Sequence, residues 1–157
     1  MMGWLAIVRH GEARPGTPDF ERRLTQLGEQ EAKSAGHWLA SRPEFDGARV
    51  WTSPYHRARQ TAQAVNGAMR CKLETVDGIT PDDDVDFLIE KLTTLDMSQP
   101  LIIVSHMPLV GLLTGRLVEG AASGGLAFPT AGVALLDAEV WAAGCATLKT
   151  FVSPPHR

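Results

Sequence analysis

Two short runs constrain this chain more than anything else in it. "WLAIV" (residues 4–8) and "LIIV" (residues 101–104) are apolar throughout and of strand length. A strand without polar alternation has to be covered on both faces, which is the situation of a central strand in a sheet with helices above and below. The intervening sequence supplies helices of the right kind. "TQLGEQEAKSAGHWLASR" predicts a helix with Thr25 as N-cap, Pro43 beyond its end, and Gly28, Ala32, Ala35 and Leu39 on one face. "ARVWT" predicts a second strand. Ser53 and Pro54 then read as N-cap and first helical residue of a helix over Tyr55 to Met69, with Ala58, Thr61, Ala62, Val65 and Met69 on one side. "CKLETV" is a third strand, and "DDDVDFLIEKLTTLD" a third helix with an acidic first turn, as the helix dipole favours. Pro108 opens a fourth helix, "PLVGLLTGRLV", with Leu109, Leu112, Leu113 and Leu117 turned inward, and "GVALLDAEVWAAGCATLKTFV" reads as two last strands joined by a turn.

Strand and helix alternate, and no repeat, linker or low-complexity segment interrupts them. The expectation is one three-layer α/β/α domain over residues 1–157, with a mainly parallel sheet, helices on both faces, an antiparallel edge and no inserted cap subdomain. A chain of 157 residues suffices for one sizeable core. The formal net charge of −3 argues against a general nucleic-acid binder, so any anion site is a local gathering of cations. Cys71 and Cys145 make no disulfide framework and read as small buried hydrophobes of a reducing compartment. The N-terminal apolar run is too short for a secretion signal, and its Arg follows the run. No segment is long enough to span a membrane, and the expected location is cytoplasmic.

The chemistry collects where strands end. The first strand finishes in Arg9-His10-Gly11, the second in Thr52-Ser53-Pro54 with Arg57 just beyond, and the fourth in Ser105-His106-Met107-Pro108. In an open α/β sheet ligands bind outside the carboxyl ends of the strands, so parallel strands would gather two Arg and two His around one hollow faced by two helix N-termini. Phosphate is the natural guest of such a place. A neutral imidazole is a good nucleophile near pH 7, and nearby Arg charges disfavour the imidazolium. One of the two histidines is thereby kept neutral, and a hydrogen bond from its Nδ1–H to a backbone carbonyl would aim Nε2 at phosphorus. Gly11 would allow close backbone approach, and Arg9 and Arg57 would clasp the phosphoryl oxygens in forked geometry without a metal.

"VRHGEA", "SPYHRARQTA" and "IIVSHMPLVG" together resemble the motifs of the histidine phosphatase (phosphoglycerate mutase-like) superfamily, over nearly the whole chain. Short length, "RRLTQLG", "ITPDDD" and "SHMPLVGLL" are similar to the compact SixA-type phosphohistidine phosphatases of bacteria. The resemblance implies that His10 is the transiently phosphorylated nucleophile, Arg9 and Arg57 bind phosphate, and His106 contacts the phosphoryl group as a charged donor. It gives Arg22, in "ERRLT", a supporting role; no metal or cofactor is implied. Gly11 and Met107, beside the two histidines, are further candidates for substrate binding. Many phosphomonoesterases of the superfamily carry an acidic proton donor between the second and fourth strands. Here that region reads "VDGITPDDDVDFL" without an obvious counterpart, although Asp82 or Asp83 remains available. An alkoxide leaving group needs that proton, whereas the imidazole of phosphohistidine already carries one on its far nitrogen.

The implied substrates are phosphorylated proteins, either phosphotransfer domains of His–Asp relays or phosphocarriers of sugar-transport type. A phosphatase for small phosphomonoesters is the alternative on the same machinery, and a non-catalytic phosphate-dependent binding module the alternative of another class. Mutase activity would need a pocket that retains and turns a small product. A metal site is disfavoured, because His10 and His106 lack a third ligand at a familiar spacing and the Arg side chains would repel a cation. His37, His56 and His156 read as surface or boundary residues, with His56 a candidate for the pocket rim. Glu12 reads as orienting its neighbours, Asp82–Asp84 as a solvated helix start, and "EGAASGGLAF" (Glu119 to Phe128) as a mobile rim loop.

Overall fold

A computed structural model describes residues 1–121 and 125–157. Six strands form one sheet: β1 (Gly3–Arg9), β2 (Arg49–Thr52), β3 (Lys72–Thr75), β4 (Leu101–Ser105), β5 (Val133–Ala138) and β6 (Ala146–Val152). Among the described residues four α-helices alternate with them: α1 (Gln26–Ala40), α2 (His56–Met69), α3 (Val85–Leu92) and α4 (Leu109–Glu119). The strand order is β3-β2-β4-β1-β5-β6. β1, β2, β3 and β4 run parallel, while β5 is antiparallel to β1 and to β6. This is the expected α/β architecture, with the two antiparallel strands at one edge.

The two apolar runs occupy the two middle strands. Because side chains alternate across a strand, Leu5, Ile7, Leu101 and Ile103 point into one layer and Ala6, Val8, Ile102 and Val104 into the other. The first layer is closed by Leu88 and Leu92 of α3 and by Leu109, Val110, Leu113 and Leu117 of α4. The second is closed by Ala35 and Leu39 of α1 and by Ala58, Ala62 and Val65 of α2. Small residues let α1 and α2 approach closely: a Cβ on Gly36 would stand 2.9 Å from the Val65 Cα.

Several local expectations need correction. Ser53 does not cap α2 and Pro54 is not helical; Tyr55 is the N-cap residue, and the Ser53 Oγ accepts the Tyr55 N–H at 3.2 Å. That hydroxyl is turned toward His106 instead, which is where its hydrogen bond is needed. Leu112 is half-buried, because the α4 face toward the sheet runs through Val110, Leu113 and Leu117. Neither cysteine is buried. Cys71 is half-buried before the edge strand β3, and Cys145 lies exposed in the turn before β6. Residues 122–124 of the glycine-rich stretch fall outside the described residues; its described flank is tied to α4, with the Leu126 N–H donating to the Gly111 carbonyl at 3.1 Å.

One contact seats α1 behind the end of β1. Thr25 caps α1 as expected, its Oγ accepting the Gly28 N–H at 2.9 Å, and its hydroxyl donates to the Glu12 Oε2 at 2.7 Å. Gly28 lies against the backbone of Glu12, and a Cβ on Gly11 would stand only 2.5 Å from the Gly28 carbonyl oxygen. The Gly28→Ala variant is therefore expected to lose about 2–3 kcal/mol, the cost of overpacking against backbone that cannot move aside. Urea unfolding of the two proteins measures it, and a loss below about 0.5 kcal/mol, the range of an ordinary surface substitution, would contradict this packing.

Candidate functional site

The sheet order brings the site together. β1 and β4 are neighbours, with Arg9 and Ser105 opposite one another in register, and β4 is flanked on its other side by β2, with Thr52 opposite Val104. From β1 the chain proceeds by α1 to β2 and β3, then returns to β4 and crosses to β5. The carboxyl ends of β1 and β4 therefore meet at a topological switch point. His10 and His106 each follow one of these ends, and their ring centroids lie 5.1 Å apart. Both are buried, at 7% and 1% exposure, as is Arg57 at 4%.

His10 is held from four directions. Its N–H donates to the Ser105 carbonyl at 3.0 Å, and its carbonyl accepts the Ala131 N–H at 3.0 Å. The Nδ1–H donates to the Gly11 carbonyl at 2.7 Å, as expected, and Nε2 accepts from the Arg57 Nε–H at 3.3 Å. These partners select the tautomer with its lone pair on Nε2. Gly11 serves this arrangement through its backbone. Its N–H donates to the Thr61 Oγ at 3.0 Å, and its missing Cβ makes room for α1 and not for the ring.

Arg57 reaches the ring from the first turn of α2, where Thr61, one turn on, donates to its carbonyl at 2.8 Å. Its Nη1 donates to the Asp19 carbonyl at 2.7 Å and its Nη2 to the Asp19 Oδ2 at 3.1 Å. Arg22 holds the other carboxylate oxygen, its Nη1 3.0 Å from Oδ1, while its Nε donates to the Arg14 carbonyl at 2.7 Å. Arg22 therefore borders the site through Asp19. Arg9 sends Nη1 to the Phe128 carbonyl at 2.8 Å, and its Nε is buried without a partner among the described residues. The His106 Nε2 lies 2.7 Å from the Ser53 Oγ, and its Nδ1 is likewise buried without a partner. Neither α2 nor α4 has a capping side chain or an acid in its first turn, unlike α1 and α3, so their N-terminal N–H groups stay available to an anion. Met107 is half-buried and lines, with Pro108, Gly111, Leu112 and Leu126, an apolar hollow of about 270 Å³ beside His106.

Other candidates lie elsewhere. Asp83 spends Oδ2 on the Thr80 N–H and hydroxyl, at 2.7 and 2.6 Å, and Asp84 caps α3; Asp82 is exposed. Glu12 is bound to Thr25. His37 is exposed and His56 half-buried at the rim. No group of three or more His, Cys, Asp or Glu able to hold a metal occurs among the described residues.

Four contributors carry no sequence signal strong enough to find them. Asp19 sits in a short 3-10 turn without periodicity. Ser53 and Thr61 are polar residues on what read as capping and core positions. His156, on the C-terminal tail, brings its Nε2 within 2.7 Å of the Ala131 carbonyl and its Nδ1 within 2.7 Å of the Ser34 Oγ. It steadies Ala131, whose φ of 56° is costly for a residue with a Cβ and whose N–H holds His10.

The electrostatics follow from this crowding. Burial lowers the His10 pKa to about 4, and Arg57, Arg9 and Arg22 act in the same direction, against the Gly11 hydrogen bond. Burial, then His10 and the arginines, lower that of His106 to about 2, opposed by Asp19. Burial also lowers Arg9, opposed by Glu31. Hydrogen bonds from Arg22 and Arg57 hold Asp19 below the usual carboxylate range, so it is an anion at neutral pH.

His10 is thus neutral through the physiological range, and its ring nitrogens are expected to show no titration between about pH 8 and pH 5 by NMR. The unfolded chain protonates its histidines near 6.5, above the folded values, so the stabilisation is complete above pH 6.5 and is lost as pH falls toward 4. For His10 the loss by pH 4 is roughly 3 kcal/mol. Urea midpoints across that range measure it, and a His10 titration near 6.5 would refute this account.

Residues 5–80 match the family model of the histidine phosphatase superfamily (branch 1). The chain is 36% identical over 124 residues to a phosphohistidine phosphatase SixA homolog of Haemophilus influenzae, covering 71% of this chain and 74% of that one. It is 33% identical over 120 residues to phosphohistidine phosphatase SixA of Escherichia coli, with 73% of each chain covered. The fold superposes on the protein histidine phosphatase SixA complexed with tungstate with a TM-score of 0.85 and 29% identity, over 96% of this chain and 97% of that one. A site of two imidazoles in edge contact, with the Arg57 guanidinium on one of them, at the switch point of such a sheet accords with these relationships, and the chain belongs to the histidine phosphatase superfamily, among its SixA-type phosphohistidine phosphatases.

Proposed function

We propose that this protein is a cytoplasmic phosphatase, residues 1–157 acting as one unit, that removes the phosphoryl group from phosphohistidine on a protein through a covalent intermediate on His10. The observation that carries this reading is the His10 ring itself: buried, neutral, with Nδ1–H bound to the Gly11 carbonyl, the Nε2 lone pair toward Arg57, the His106 ring in edge contact, and Arg9 within reach of its charge.

Nε2 attacks phosphorus, and the P–N bond to the substrate imidazole breaks. The bonding pair returns to that nitrogen, and the imidazole leaves neutral because its other nitrogen already holds a proton. Water then attacks the phosphoryl group on His10, the P–Nε2 bond breaks, and inorganic phosphate departs as His10 recovers its lone pair. Arg9 and Arg57 stabilise the equatorial oxygens by charge-assisted hydrogen bonds. His106 is neutral beside the bare guanidiniums, and a phosphoryl dianion brought against it favours the protonated ring, converting it to a charged donor. Arg22 positions the Asp19 carboxylate beside Arg57, and Met107 contributes apolar surface next to the entering group.

The proton ledger favours phosphohistidine over a phosphate ester. Asp19 is the carboxylate nearest this machinery by hydrogen bonding, and it is ionised. Asp83 is turned to Thr80. An alkoxide leaving group would find no ready proton there, whereas imidazole needs none. The names of the relatives support the same substrate class, and phosphotransfer or phosphocarrier domains are the partners we expect.

Incubation with a ³²P-labelled phosphohistidine protein and rapid quenching is expected to leave acid-labile, base-stable label on His10. The His10→Ala variant should show neither label nor turnover. Arg57→Ala is expected to lower kcat by about 10²–10³-fold, as for removal of one oxyanion donor. Tight binding of the phosphoprotein without label would instead indicate a phosphate-dependent binding module, and faster turnover of small esters would reassign the substrate.

A further inference from the structure

Resting on that reading, the structure points to a docking surface for the substrate protein. We propose that the arginine shelf beside the catalytic mouth, built by Arg14, Arg22, Arg23 and Arg59 around the exposed Phe20, binds an acidic face surrounding the phosphohistidine of the partner.

The chain carries a net charge of −3, yet six of its fifteen Lys and Arg residues lie in the site or on its flank: Arg9, Arg14, Arg22, Arg23, Arg57 and Arg59. Two arginine-lined hollows adjoin there. One, of about 250 Å³, is lined by Arg14, Arg22 and Arg23 with the Pro15–Pro18 segment. The second, of about 230 Å³, is lined by Arg23, His56 and Arg59 with Gln60 and Gln63. Arg23 belongs to both, so the shelf is continuous. Arg14, Arg23 and Arg59 are exposed and enter no ion pair among the described residues. Glu21 is the one carboxylate among the residues lining these two hollows, and that of Asp19 is already engaged by Arg22 and Arg57. Past Gln60 the surface carries Glu29 and Lys33 together, and the excess of positive charge ends.

Unpaired like charges held side by side oppose folding, and they serve a protein when they meet an anionic partner. The shelf is joined to the chemistry by aromatic contacts. Phe20 is 48% exposed and meets Tyr55 and His56 edge-on, each at 6.4 Å, and Tyr55 lies 5.0 Å from the His106 ring. An exposed phenylalanine backed by half-buried rings among arginines is the composition of a protein-binding hot spot. Two hollows and a ring exceed what one phosphoryl group contacts, while carboxylates spaced over a folded surface match them.

The test compares the wild type with the Arg23→Glu/Arg59→Glu double variant on two substrates sharing the same P–N bond. One is a phosphorylated phosphotransfer domain of net negative charge, and the other is phosphoimidazole. The variant is expected to lose about tenfold or more in kcat/KM on the protein, through KM, with phosphoimidazole turnover within about twofold of wild type. Wild-type activity on the protein should fall between about 50 and 500 mM salt, and that of the variant should stay nearly flat. The Arg23→Gln/Arg59→Gln variant, which removes charge without reversing it, should give an intermediate loss, with thermal unfolding confirming that both variants fold. Equal losses on both substrates, or none on the protein, would overturn the shelf. So would variant-sensitive binding to vesicles containing phosphatidylserine with unchanged protein turnover, which would assign the arginines to a lipid surface. If the wild type cleaves phosphoimidazole but no phosphoprotein, the substrate reading itself fails and the shelf with it.

Discussion

The hydrogen bond from the His10 Nδ1–H to the Gly11 carbonyl decides which ring nitrogen can act, and the rest of the site is arranged around that decision. An imidazole with its proton on the wrong nitrogen would present a donor where a lone pair is required. The bond is local, between adjacent residues, and holds only if the Gly11 peptide cannot turn. The N–H of that carbonyl's own peptide, from Glu12, donates to the Glu31 Oε1 at 2.9 Å, the Thr61 hydroxyl takes the Gly11 N–H on the other side, and α1 stands against the Gly11 Cα. Thr61 in turn is tied to the Arg57 carbonyl, so the helix that anchors the Gly11 N–H also delivers the guanidinium. Ring, peptide and cation are thereby positioned by one packing arrangement.

Burial works with charge to keep the ring ready. Enclosing His10 and His106 near two guanidiniums would be prohibitive if all four groups were cationic, and the imidazoles relieve it by remaining neutral. Asp19 supplies a counter-charge at the outer side of Arg57 and is itself held by Arg22. Charge thus grades outward, from neutral rings, through a paired arginine, to the unpaired arginines of the shelf. On the proposed function, a phosphorylated protein approaching from that side would meet an attractive field before its phosphoryl group reached His10.

Much of this was legible beforehand, and the reason is physical. Strands covered on both faces must be apolar without alternation, so "WLAIV" and "LIIV" announced the middle of the sheet. Helix α1 announced its own start through Thr25, because the cap acts within one turn. Arg9, His10, Arg57 and His106 stood out because each lies within a few residues of a strand end. Ser53 was misread, because a serine before a proline has the local appearance of an N-cap and only the neighbouring strand shows that its hydroxyl faces His106. Cys145 was misplaced because composition says that cysteines tend to be buried but not whether a given turn is covered.

The order and apolarity of its segments determined that this chain makes a parallel-centred α/β sheet with histidines and arginines at the strand ends, since those are matters of neighbours along the chain. Tertiary structure alone decided that Asp19 bridges Arg57 and Arg22, and that His156 supports Ala131 behind His10, across 25 residues of chain. It also decided that scattered arginines form one shelf. Such contacts join segments whose separation in sequence carries no periodicity, so they come into being only when the helices settle on the sheet.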